Sequence, residues 1–120
     1  MRNVNRFEDL NVWKEGMRLA RDIYKQLESS KDFGLRNQMQ RAAVSIPSNI
    51  AEGFERHTNK EFMQHLYIAK GSCAELRTQL YLAIDLEKIE KETGKILLDK
   101  TLKISSMLYR LIQTRVKNFN

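Results

Sequence analysis

The chain has one proline, one cysteine, two histidines and five glycines in 120 residues. Little is therefore available for turns, disulfides or metal sites. Cys73, the single cysteine, has no partner for an internal disulfide. Scarce glycine and proline argue against a strand-and-turn fold and against a low-complexity linker. No apolar run approaches the ~20 residues that cross a bilayer. Met1-Arg2-Asn3-Val4-Asn5-Arg6 leads into no apolar h-region, so no secretory signal is expected. A cytoplasmic location fits these features. Also missing are a glycine-rich phosphate loop and a Ser/His/Asp arrangement.

What remains is 42% hydrophobic and 30% charged. That balance, at this length, predicts a single domain, residues 1–120, built from long solvated helices. The net charge is +6 and the sequence pI about 9.6. A basic excess points to a polyanionic partner such as nucleic acid or a membrane surface.

Apolar spacing divides the chain into four helices. Residues 1–7 read as a short arm, with Phe7 against the first helix and Asp9 as its N-cap or first-turn acid. That helix runs to about Glu28. Leu10, Trp13, Met17, Ala20, Tyr24 and Leu27 step by three and four and form its expected core stripe, widened by Leu19 and Ile23. Residues 29–34 read as a loop, and a second helix is expected from about Leu35 to Phe54. Its core face is Met39, Ala42, Ala43, Ile46 and Ile50. Pro47 costs about 3 kcal/mol in an undisturbed helix interior. The helix either ends at Ile46 or bends and continues, and the resumption of spacing at Ile50 favours continuing. Thr58-Asn59-Lys60-Glu61 fits a capping box for the third helix. Phe62, Leu66, Ala69, Cys73, Leu76, Leu80 and Ala83 then step by four and three. The small run Ala69 to Ala74 should allow close approach of the second helix. Thr93-Gly94 reads as punctuation before a fourth helix, from about Lys95 to Lys117, with a seam of Leu97, Thr101, Ile104, Leu108 and Leu111. Short loops make the expected fold all-α, an antiparallel up-down-up-down four-helix bundle.

Cations offer the strongest functional lead. Lys14, Arg18, Arg21 and Lys25 form a row on the first helix. Lys103, Arg110 and Lys117 recur every seven residues on the fourth, with Lys100 nearby. From Lys91 to Asn120 there are seven basic residues and two acidic ones. Such rows suit phosphate contacts, although Glu15 and Asp22 interrupt the first. No aromatic platform alternates with them, so recognition through backbone and shape is expected rather than base reading. Gln38, Arg41, Ser45, Asn49 and Glu52 form a polar row on the second helix. It reads either as a hydrogen-bonded seam to another helix or subunit, with Glu75 and Gln79 as partners for Arg41, or as a ligand site. His57, Glu61 and His65 are four apart, but His57 precedes the proposed cap and leaves the helical face, and the inward carboxylates of a di-metal bundle are missing. No metal or cofactor is expected. Cys73 on a core position reads as a buried small hydrophobe, without a neighbouring base to activate it. Catalysis is not expected.

Three stretches carry a resemblance: Phe7-x-x-Leu10-x-Val12-Trp13; Gln38-x-x-Arg41-Ala42-Ala43-x-Ser45-Ile46-Pro47-Ser48-Asn49-Ile50-Ala51-Glu52-Gly53; and Lys60-Glu61-Phe62 through Ile68-Ala69-x-Gly71-Ser72-x-x-Glu75-Leu76. Together they resemble the bacterial four-helix bundle family of proteins encoded in intervening sequences of 23S ribosomal RNA genes. The chain is also similar to the accessory variability proteins of diversity-generating retroelements. The resemblance implies a homopentamer arranged as a tapered barrel. In the retroelement relatives it implies a basic barrel that binds nucleic acid and a reverse transcriptase. It supplies no catalytic residues.

Overall fold

A computed structural model describes residues 4–119, so part of the expected N-terminal arm, residues 1–3, lies outside the described residues. A 3-10 turn, Phe7–Asp9, precedes four α-helices: α1 Asn11–Leu27, α2 Phe33–Phe54, α3 Asn59–Asp85 and α4 Lys91–Phe119. The loops at residues 28–32, 55–58 and 86–90 are short enough to reverse the chain and little else, giving up-down-up-down order. α1 packs on α2 and α4, and α3 on the same two, while the diagonal pairs have no close backbone approach among the described residues. The bundle measures 45 × 20 × 20 Å. Its long dimension is close to the ~40 Å expected of a helix as long as α3.

Helices α2 and α3 bury the expected seams. Met39, Ala42, Ala43, Ile46 and Ile50 face Phe62, Leu66, Ala69, Cys73, Leu76, Leu80 and Ala83 in one contiguous apolar cluster. Helix α2 continues through Pro47, whose ring is buried. It begins two residues earlier than expected because Asp32 is its cap: Asp32 Oδ1 accepts from Leu35 N at 3.2 Å. At α3, Thr58 Oγ1 accepts from Glu61 N at 3.1 Å, as a capping box requires. The return bond differs. Glu61 Oε1 accepts from the Thr58 hydroxyl at 2.9 Å, rather than from its amide.

Three expectations are corrected. Asp9 caps nothing: it sits in the 3-10 turn, and the α1 cap position is Leu10, without a side-chain bond. Phe7 does meet α1, edge-on to Trp13 with ring centroids 5.4 Å apart. Second, Thr93-Gly94 is not the break before α4. Gly94 lies inside that helix, where an added Cβ would come within 2.5 Å of Ile84 Cδ1 and Cγ1. The chain turns earlier, at Glu87 (φ 56°), where Lys88 N bonds Ala83 O at 2.8 Å and Glu87 N bonds Ile84 O at 3.0 Å. This pairing is the left-handed helix stop usually made by glycine, here made by glutamate. Third, the buried face of α1 is Val12, Gly16, Leu19, Ala20, Ile23 and Leu27. Trp13 and Met17 are half-buried and Tyr24 is exposed. Two apolar stripes share Ala20 and Leu27, and the one carrying Gly16 wins. A Cβ on Gly16 would lie 3.4 Å from Ile46 Cγ2 and 3.5 Å from the Pro47 ring, so α1 approaches α2 closely there.

Candidate nucleic-acid interface

Packing of α1 against α4 sets the two basic rows on neighbouring helices, although Arg21 and Lys25 also line the groove on the α2 side of α1. Lys14, Arg18, Arg21 and Lys25 are exposed on α1, as are Lys100, Lys103, Arg110 and Lys117 on α4. The junction is marked by ion pairs. Lys100 Nζ lies 2.6 Å from Asp22 Oδ2. Glu15 takes Arg18 Nη1 at 2.6 Å through one oxygen and faces Lys103 Nζ at 3.9 Å through the other. The acids that interrupt the first row in sequence thus neutralise part of the second row in space. Exposed pairs of this kind contribute about 0–1 kcal/mol each, so exchanging carboxylate for phosphate costs little. Lys14, Arg21, Lys25, Arg110 and Lys117 form no ion pair among the described residues.

The polar row on α2 splits in two. Its C-terminal part bonds to α3 within the chain. Ser45 Oγ and Ser72 Oγ are 2.8 Å apart. Asn49 Nδ2 donates to Ser45 O and Oγ at 2.9 and 3.0 Å, and Asn49 Oδ1 lies 3.1 Å from His65 Nδ1. Glu52 Oε2 lies 3.9 Å from His65 Nε2 and 2.8 Å from Arg56 Nη2. The Arg56 hydrogen bond holds the Glu52 carboxyl below its ordinary range. His65 is therefore engaged by α2 residues, and exposed His57 lies apart from it. Gln38 and Arg41, at the other end, are exposed and line a shallow cleft with Glu75. Arg41 makes no bond there to Glu75 or Gln79 among the described residues.

Cys73 is fully buried, and burial pushes its thiol from 9.0 up to about 11. Two pK units leave about a hundredfold less thiolate near pH 8, and the thiolate is the reactive form. Alkylation of the native protein at pH 8 is therefore expected to be at least about a hundredfold slower than in urea, measured as iodoacetamide incorporation by mass spectrometry. Equal rates in both conditions would mean Cys73 is accessible and the α3 seam open.

Two further surfaces escaped the sequence reading. The displaced stripe of α1 lines a largely apolar groove against α2, of about 600 Å³, with Trp13, Met17, Tyr24, Val44, Pro47 and Ala51 in its walls and Arg21 and Lys25 of the basic row lining it as well. Between α3 and α4 lies a cleft of about 400 Å³ lined by Lys70, Arg77, Ser105, Ser106, Tyr109 and Arg110. Lys70 and Arg77 are seven residues apart on α3, a spacing that matches the Lys103–Arg110 interval on α4. That shared interval is the signal that could have found them. An isolated pair of cations on a mostly apolar helix does not stand out.

Comparison with known proteins agrees with this architecture. The chain has a TM-score of 0.81 and 28% identity to a crystal structure from Bacteroides thetaiotaomicron VPI-5482, described as a protein with unknown function from the S23 ribosomal protein family. The match covers 86% of this chain and 99% of that one. No curated protein matches the chain. The family model for 23S rRNA-intervening sequence proteins matches residues 8–110. The match spans all of α1 to α3 and most of α4, and the chain belongs to the 23S rRNA-intervening sequence protein family.

Proposed function

We propose that this protein is a non-enzymatic, homo-oligomeric bundle, a pentamer by family resemblance, that binds structured RNA through its α1/α4 face. The observation that carries this reading is the placement of two sequence-distant basic rows on the exposed sides of neighbouring helices, with Lys14, Arg21, Lys25, Arg110 and Lys117 neutralised by no carboxylate among the described residues. Rows of cations suit a phosphate backbone, whose charge is continuous.

The test is binding to a structured 23S ribosomal RNA fragment across a salt series, with particle mass recorded on the same sample. Five phosphate contacts correspond to a log–log salt slope of about −3.5 to −4.5. Between 50 and 200 mM salt, affinity should then fall roughly a hundredfold or more. Charge reversal at Lys103, Arg110 and Lys117 should weaken binding while circular dichroism stays unchanged. Absence of binding at low salt rejects the reading.

The α1/α2 groove favours a second reading, a protein-interaction scaffold or accessory subunit of a nucleic-acid enzyme. Its walls hold large apolar side chains that other surfaces of a soluble bundle would not concentrate. Under that reading, substitutions of the apolar groove residues Met17 and Val44 change assembly while RNA affinity stays constant.

A further inference from the structure

We propose that the cleft between α3 and α4 is a phosphate-binding site, with Arg77 and Arg110 as its principal anion ligands. The proposal rests on the RNA reading only for the source of the phosphate, a backbone phosphodiester. The site itself stands on the composition of its walls.

Three cations, Lys70, Arg77 and Arg110, converge on one concavity of about 400 Å³, and no acidic residue lines it. This contrasts with the α1/α4 junction, where Asp22 and Glu15 meet the cations. Like charges held around one cleft repel each other, and an anion between them removes that cost. The remaining polar lining, Ser105, Ser106 and Tyr109, offers hydroxyl donors.

A second observation is independent of charge. Arg77 Nη1 is shielded from solvent and has no hydrogen-bond partner. An unpaired guanidinium N–H in that position is costly, because it has lost water and gained nothing. A phosphate oxygen is the complement that a guanidinium is shaped to take, through paired N–H donors. Lys70, two turns N-terminal to Arg77 on α3, adds a point charge without geometric demand.

The cleft also adjoins the α4 basic row, because Arg110 belongs to both. A strand crossing α4 would pass from the α1/α4 face to this cleft with Arg110 at the crossing. The Lys70 and Arg77 contacts would then add to that face's phosphate count.

The experiment compares wild type with Arg77→Gln and Ser106→Asp. Ser106 is exposed, so its carboxylate opposes an anion without disturbing the core should Arg77→Gln fold poorly. Two measurements are made: the melting temperature in inorganic phosphate against sodium chloride at equal ionic strength, and RNA affinity across the salt series. Wild type should melt a few degrees higher in phosphate. Both variants should lose that difference. Arg77→Gln should lose about tenfold in RNA affinity, with the salt slope reduced by about 1. A phosphate effect that vanishes in the variants while RNA affinity stays unchanged keeps the site but assigns it to a free phosphate compound. A phosphate effect in a wild type that binds no RNA rejects the proposed function and retains the cleft. No phosphate-specific effect, with equal salt slopes in all three proteins, overturns the proposal.

Discussion

Gly53→Val is expected to lower the melting temperature by about 10–20 °C. Gly53 ends the Ser-Ile-Pro-Ser-Asn-Ile-Ala-Glu-Gly run and is buried where α2 meets the first turns of α3. A Cβ there would stand 2.5 Å from His65 Cβ and 3.1 Å from Phe62 Cδ1. The His65 atom is the first of its side chain, so no rotamer change moves it away. The helices must separate instead. Separation loosens the Asn49–His65 and Ser45–Ser72 bonds, which span the same interface. Overpacking costs about 1–3 kcal/mol, and two strained hydrogen bonds add about 1 kcal/mol each. The better helix propensity of valine returns only a few tenths. Gly71→Ala is the control. It lies in the middle of α3 with nothing within 4 Å of the added carbon, and should gain about 1 kcal/mol from propensity alone. Thermal melts followed at 222 nm measure both. A Gly53→Val protein that melts with wild type would mean α2 and α3 do not meet at this glycine.

These two glycines show how far the sequence could be read. Gly71 sits in the small run on α3 that suggested close helix approach, yet the helices close over Ala69, Ser72 and Cys73 while Gly71 faces outward. Spacing identified the right helix pair and the right small run, and the register of α2 against α3 decides which of its members make the contact. Helices α2 and α3 were legible because each carries one apolar seam with polar residues beside it. The capped start of α3 was legible from Thr58 and Glu61, whereas its stop at Glu87 was not, because the left-handed position there lacks the usual glycine. The candidate interface shows the same pattern. The basic rows could be read helix by helix. Their neutralisation by Glu15 and Asp22 could not, since it depends on the register of α1 against α4. The cleft of Lys70, Arg77 and Arg110 depends in the same way on α3 against α4.

Helix α1 is the case where two readings of one periodicity compete, and adjacent residues separate them. Ile23 is 0% exposed, whereas Tyr24, on the stripe that spacing favoured, is 47% exposed. Ile23→Ala should therefore cost about 2–5 kcal/mol, a large share of the 5–15 kcal/mol that holds a domain of this size together. Tyr24→Ala should cost under about 1 kcal/mol, because its ring is already half in water. Urea unfolding of both variants, with particle mass measured by light scattering, makes the comparison. The mass carries the second half of the argument. Tyr24 lines the α1/α2 groove, so if that groove holds a second copy, Tyr24→Ala reduces the mass and leaves the midpoint near wild type. Ile23→Ala has the opposite signature, a lower midpoint at every protein concentration. If the two midpoints are reversed, α1 is turned by one residue about its axis. Trp13, Met17 and Tyr24 then fill the core, and the groove and any assembly built on it disappear together.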